Sequence, residues 1–382
     1  MKYPLGWLQL SHRKLRLAIA LAGIGFADVL MFMQLGFQSA LFKSSVILHE
    51  RIDGDIFLVS PQSSALIALA TFSRRRVYQA LAVEGVASAH SIYIGFGLWK
   101  NPVDRSTRSL MVLGVNPVAN VLDFPGIEEN LARTTIEDVV LFDEDSRAEF
   151  GPIPELYDSG ELVITEVGQR RVIVGGLFAL GASFSADGNL ITSDLNFLRI
   201  FPERNPSEIE IGVLQLEPSV DPDLVQQRLR QELPEDVIVF TREEFINAEL
   251  SYWQEATAIG FVFTLGLIIG LIVGIVIVYQ ILYTDVSEHL PEYATLKAMG
   301  YRDRFLLQVV LQEALILAIL GYLPALAIAS GMYALARAAT GLPMLMTLTR
   351  AGSVFVLTAF MCFSSGALAV RKLQAADPAD IF

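Results

Sequence analysis

The chain has 382 residues, of which 53% are hydrophobic and only 18% charged, with a mean hydropathy of +0.49. That composition is too apolar for an ordinary soluble protein of this length and points to a membrane protein. A formal net charge of −13 excludes a nucleic-acid-binding role, because an acidic body repels phosphate.

In chain order, residues 1–16 mix Leu5, Trp7, Leu8 and Leu10 with Lys2, Arg13, Lys14 and Arg16, the pattern of an interfacial helix on the cytoplasmic face of a membrane. The competing reading, a signal-peptide n-region, fits poorly: the next apolar run exceeds an h-region and no clear small-residue cleavage site follows. Residues 17–42 carry only Asp28, 256–284 carry no charge, 305–337 carry Glu313 and the terminal Arg337, and 351–370 carry none. Each run reaches the roughly 20 residues that a helix needs to cross a bilayer, so four transmembrane helices are expected.

Orientation follows from the flanking basic residues. Lys2, Arg13, Lys14 and Arg16 precede the first span, Lys297, Arg302 and Arg304 lie between the second and third, and Arg371 and Lys372 follow the fourth. This places both termini, the 285–304 segment and the 371–382 tail in the cytoplasm, with 43–255 and the short 338–350 loop outside, in the periplasm. Arg337 and Arg350, beside the outer loop, run against the trend.

Residues 43–255 hold 17 basic against 33 acidic residues, a net of −16. The single cysteine, Cys362, lies in the fourth span, so this domain has no disulfide and depends on its own core, for which it is large enough. Strands are predicted at 55–60, 91–99, 110–115, 162–167, 171–174, 210–216 and 237–241, and helices at 75–83 and 222–233. Two strand–helix–strand units therefore bracket a β-rich insert at about 120–205. Stalks are predicted beyond residue 43 and over 242–255, the latter leading straight into span 2. The fold class is an α-helical membrane protein with four transmembrane helices plus a large α/β extracytoplasmic domain inserted between helices 1 and 2.

No catalytic constellation stands out. His12, His49, His90 and His289 are scattered without metal-ligand spacing, Gly181–Ser185 lacks the second glycine of a nucleophile elbow, and Asp143–Asp145 reads as a solvated acidic surface rather than a cation site. A glycine-rich phosphate loop is also missing, so the chain binds no ATP in the P-loop manner. In span 2, Gly266, Gly270 and Gly274 form a stripe suited to close helix packing. Asp28, with Gln34 nearby, is a polar group inside span 1, read either as a proton or substrate contact or as a packing hydrogen bond, and Glu313, with Gln312 about two turns into span 3, is read either as an anchor for the polar segment or as a snorkelling side chain. Within 285–304, Pro291 suits a first helical turn, Glu292 and Lys297 complement the helix dipole, Gly300 suits a left-handed cap, and Tyr293, Leu296 and Met299 share roughly one face. A helix this short needs a surface to rest on, here taken to be a separate protein.

Glu292–Gly300, then Glu313-Ala-Leu, then Arg371–Pro378 resemble the C-terminal signature of FtsX/MacB-type permeases of ABC transporters, with one departure at Pro291, where the family usually carries a basic residue. Pro4–Leu10 and Gly25–Gly36, which include Asp28, are similar to the DevC subfamily of cyanobacterial permeases associated with glycolipid export. The resemblance implies a non-catalytic, homodimeric inner-membrane permease with Glu292, Tyr293, Leu296, Lys297, Met299 and Gly300 at the contact with a cytoplasmic ABC ATPase dimer. It implies no cofactor on this chain, with ATP and Mg2+ held by the ATPase, and a periplasmic membrane-fusion adaptor and TolC-type outer-membrane channel as further partners. The alternatives are an FtsX-like non-transporting regulator of a periplasmic cell-wall hydrolase and a membrane-anchored external enzyme or sensor.

Overall fold

The computed structural model describes residues 14–289, 299 and 303–374. The chain divides into two compact units, one of residues 1–40 with 258–382 and one of residues 41–257. Four helices among the described residues are long and apolar enough to span a membrane: α1 (Lys14–Ser45), then α7 (Ala258–Glu288), α8 (Asp303–Thr340) and α9 (Leu348–Gln374). The large α/β domain lies in sequence between the first and second of them.

In the inserted unit α2 (Ile47–Arg51) leads to β1 (Ile56–Val59), followed by β2 (Phe72–Ser73), α3 (Arg75–Ala80), β3 (Val86–Lys100), β4 (Thr107–Val115), β5 (Val139–Asp143), β6 (Ile164–Val167), β7 (Arg170–Phe178) and β8 (Asn189–Ser193). The return runs through α4 (Asp194–Ile200), β9 (Glu208–Ile209), β10 (Ile211–Leu216), α5 (Pro222–Glu232), β11 (Ile238–Thr241) and α6 (Arg242–Ser251). Nine strands form one sheet in the order β11-β1-β10-β3-β4-β8-β5-β7-β6, while β2 and β9 pair separately.

The β1–α3–β3 and β10–α5–β11 units interleave as β11-β1-β10-β3 with every neighbour antiparallel, a split β-α-β arrangement. The 120–205 segment does not stand apart as an insert, because its strands continue the same sheet. β8 pairs in parallel with β4, and β6 returns to β3 through Trp99↔Val167, with the Gly168 amide donating to the Leu98 carbonyl. β3 is long enough to serve both halves.

Two cores flank this sheet, so β1, β5 and β8 are buried at every position, whereas β6 and β7 at one edge alternate between buried and half-exposed residues. In β1 all four residues are buried, Ile56 and Leu58 joining one core with Tyr93, Trp99 and Leu229, and Phe57 and Val59 joining the other with Ile92, Met111 and Phe245.

Two boundaries differ from the sequence expectation. Asp285–Glu288, placed in the polar segment, extend α7 by one more turn. The second stalk does not enter span 2 directly: after α6 the backbone makes a π turn over Tyr252–Ala256, and Thr257 is extended at φ −113°, ψ 157° before α7 begins. Thr257 is β-branched and its hydroxyl donates to the Trp253 carbonyl at 2.7 Å, which favours that break.

Thr241 ends β11 and caps α6 at once: its Oγ1 accepts from the Glu244 amide at 3.3 Å while Glu244 accepts from the Thr241 amide at 3.0 Å. Thr241→Ala is expected to cost about 1 kcal/mol, read as faster hydrogen exchange at the first-turn amides of α6.

Candidate functional site

Within the membrane unit, span 2 lies close to span 1 along its glycine stripe. A Cβ at Gly270 would sit 3.6 Å from Met31 Cγ, and one at Gly274 would sit 3.0 Å from Ala27 Cβ and collide with Met361 Sδ of span 4. At Gly266 the space is taken by the Gln34 amide. The stripe is therefore used inside one chain, facing Ala27, Met31 and Gln34 at helical spacing on span 1.

Asp28 is fully buried, and Thr358 Oγ1 of span 4 donates to its Oδ1 at 2.7 Å; its Oδ2 has no hydrogen-bond partner among the described residues. Gln34, named from the sequence as its helper, packs on Gly266 instead. Nothing in the local spacing marks Thr358, 330 residues away, as the partner. Glu313 is also fully buried, so it does not snorkel, and it faces Asp285 of span 2. At the same end Arg16 Nη1 donates to Glu288 at 2.6 Å, with a second contact through Nη2, and His289 Nδ1 lies 3.8 Å from Asp285. At the other end the Arg350 guanidinium sits 5.4 Å from the centre of the Tyr333 ring and donates to the Leu345 carbonyl. Its charge is thus occupied by packing, which accounts for a basic residue against the flanking trend.

Of the residues assigned to ATPase contact, Glu292, Tyr293, Leu296, Lys297 and Gly300 lie outside the described residues. Met299 is 64% exposed.

In the inserted unit, the entering and leaving segments are stapled by residues that the sequence did not single out. Arg242, at the start of α6, donates to the carbonyls of Glu50, Ile52 and Gly54 at 3.3, 2.9 and 3.1 Å. Two turns further along the same helix, buried Glu249 accepts from the Leu66 amide and from Trp253 Nε1, both at 2.8 Å, and lies 3.6 Å from His49 Nε2 of α2. Phe245 packs between His49 and Phe57 at ring distances of 4.5 and 4.6 Å. Phe184 meets Trp253 edge-on while its amide donates to Ser44 Oγ at 3.2 Å. Burial pushes the His49 imidazole down to about 3 and raises the Glu249 carboxyl above its usual range, outweighing the donors from Trp253 and Leu66. His49 is therefore neutral across the physiological range. The one sequence signal for this hub was an isolated histidine.

Asp143 is not a solvated acid. It is buried, and its oxygens are taken up by the amides of Asp145, Leu180 and Gly181 and by Asn189 Nδ2; burial raises its pKa. Among the described residues no three His, Cys, Asp or Glu side chains converge to hold a metal.

Among the described residues these contacts tie neighbouring helices and connecting segments together. Residues 252–378 match the FtsX-like permease C-terminal family. The permease-like region takes in spans 2–4 and the polar segment, about a third of the chain. No curated protein matches the chain.

Solved structures similar over about half of it include the following three. The periplasmic region of MacB from Actinobacillus actinomycetemcomitans is 10% identical, with 50% of this chain and 91% of that one covered and a TM-score of 0.35. The extracellular domain of the noncanonic ABC-type transporter YknZ from Gram-positive bacteria is 12% identical, with 50% and 100% covered and a TM-score of 0.34. A domain of a putative permease protein from Porphyromonas gingivalis is 13% identical, with 51% and 92% covered and a TM-score of 0.31.

Two measurements probe the contacts described above. Thr358→Val removes the donor to Asp28 and is expected to lower bundle stability by about 1 kcal/mol, measured by unfolding in mixed micelles. For the staple, a His49 that stays neutral when folded but titrates near 6.5 when unfolded contributes stability that is lost as pH falls below 6.5, by up to about 1.4 kcal/mol per unit. The raised Glu249 works in the opposite sense, so the comparison is with His49→Gln: between pH 6.5 and 5 the melting temperature of the unaltered chain should fall more than that of the variant.

Proposed function

We propose that the chain is the permease subunit of a MacB-type ABC exporter, nearest in character to the DevC subfamily, working as a homodimer in the bacterial inner membrane with both termini cytoplasmic. The observation that carries this reading is an FtsX-like permease match over spans 2–4 in a chain that inserts a large α/β domain ahead of them. Because the sequence has no phosphate loop, ATP and Mg2+ belong to a separate cytoplasmic ATPase dimer, and this chain is its non-catalytic partner.

Mechanotransmission is the mode of action that fits. ATP binding closes the ATPase, the 291–300 segment moves with it, spans 2 and 3 shift, and the connecting segments carry the motion to the inserted domain. The staple supports this, because Arg242 and Glu249 bind the entering segment to the leaving one. The motion drives a lipid or glycolipid-like substrate through a periplasmic adaptor and a TolC-type outer-membrane channel, so the membrane helices need enclose no wide pore.

The family match equally suits an FtsX-like regulator of a periplasmic cell-wall hydrolase; co-purification of a TolC-type channel separates the two. The coupling role is tested by reversing the charges at Glu292 and Lys297 together. ATPase stimulation and export should fall at least tenfold while the subunit still inserts in the membrane, and unaltered values would refute the contact.

A further inference from the structure

Between spans 2 and 4 lies an open crevice of about 450 Å3, lined among the described residues by Ile275, Val276, Tyr279, Leu368 and Arg371. Among these described lining residues the walls are aliphatic and aromatic, and the one charged group is a guanidinium. Leu368 and Arg371 stand three residues apart on one face of α9, as Ile275 and Tyr279 stand four apart on α7. Residues 351–370 carry no charge, so Arg371 comes where the apolar run ends, at headgroup level, and the crevice extends from there along hydrocarbon.

Two physical demands meet at this place. An apolar hollow facing a bilayer forfeits dispersion contacts unless an acyl chain fills it. A guanidinium at the headgroup boundary needs a counter-charge, and among the described residues no carboxylate pairs with Arg371, in contrast to Arg16 on Glu288 and Arg350 on the Tyr333 ring. A molecule that answers both demands has an acyl tail and a phosphate head that a planar guanidinium can bind through two hydrogen bonds. We infer that the crevice is a binding site for an anionic phospholipid of the leaflet on the Arg371 side, its phosphate on Arg371 and one acyl chain along Ile275, Val276, Tyr279 and Leu368. A net negative head is preferred over a zwitterionic one, since the described lining offers a cation for the phosphate and no carboxylate to receive a choline or ethanolamine group.

The test is native mass spectrometry of the full chain in detergent, titrated with phosphatidylglycerol and with phosphatidylcholine of the same acyl chains. Phosphatidylglycerol should bind at least tenfold more tightly. Arg371→Gln should bring it to the phosphatidylcholine level, Arg371→Lys should keep most of the preference, and Ile275→Trp, which fills the hollow, should weaken both lipids. Equal binding of the two lipids, or unchanged phosphatidylglycerol affinity in Arg371→Gln, overturns the assignment. So does efficient disulfide cross-linking of two Val276→Cys copies that is insensitive to added phosphatidylglycerol, because a second copy would then occupy the crevice.

Discussion

Inside the hydrocarbon of a bilayer an unpaired peptide group has no water to turn to, and the cost is large enough that a spanning segment must close its hydrogen bonds within a helix. That requirement converts the four nearly uncharged runs into α1, α7, α8 and α9. It also acts on side chains. Ser365 donates to the Ile275 carbonyl, Tyr322 to the Ala351 carbonyl and Tyr333 to the Phe32 carbonyl, so hydroxyls in the bundle reach backbone oxygens of neighbouring helices. With lipid as apolar as leucine, no hydrophobic force draws these helices together. Close approach supplies the attraction instead, which is why Gly270 and Gly274 sit against Met31 and Ala27.

The inserted unit answers to water and solves a different problem. Its sheet is covered on both faces, and its two cores hold it without a disulfide. Most of its charge lies at the surface, and of its buried acids Asp143, Glu210 and Glu249 the last sits where the chain enters and leaves. There Arg242 gathers three carbonyls and Glu249 joins an amide, an indole and an imidazole. A carboxyl group buried with that many donors is costly to leave half satisfied, so it holds the two segments against each other.

Membrane and aqueous units thus use their few buried acids differently. Among the described residues Asp28 has one donor, Thr358, for one of its oxygens, while Asp143 in the sheet domain is bonded through both oxygens to amides and Asn189. The difference follows the surroundings: amides at a strand end are at hand in the sheet, whereas helix amides in the bundle are already bonded.

The sequence alone determined the four helices, because twenty uncharged residues have one stable form in lipid whatever surrounds them, and it located most strands, because β-branched and aromatic runs bounded by turn residues are local signals. It also separated the acidic inserted domain from the spans by charge. What it left open were relations between distant residues. That Asp28 meets Thr358 rather than Gln34, that the 120–205 strands extend one sheet, that Asp285–Glu288 prolong a span, and that His49, Arg242 and Glu249 converge all depend on which elements pack together. Helix and strand formation is governed by neighbours a few residues apart, whereas a buried polar group takes whichever donor the packing brings within 3 Å, and only the tertiary structure decides that.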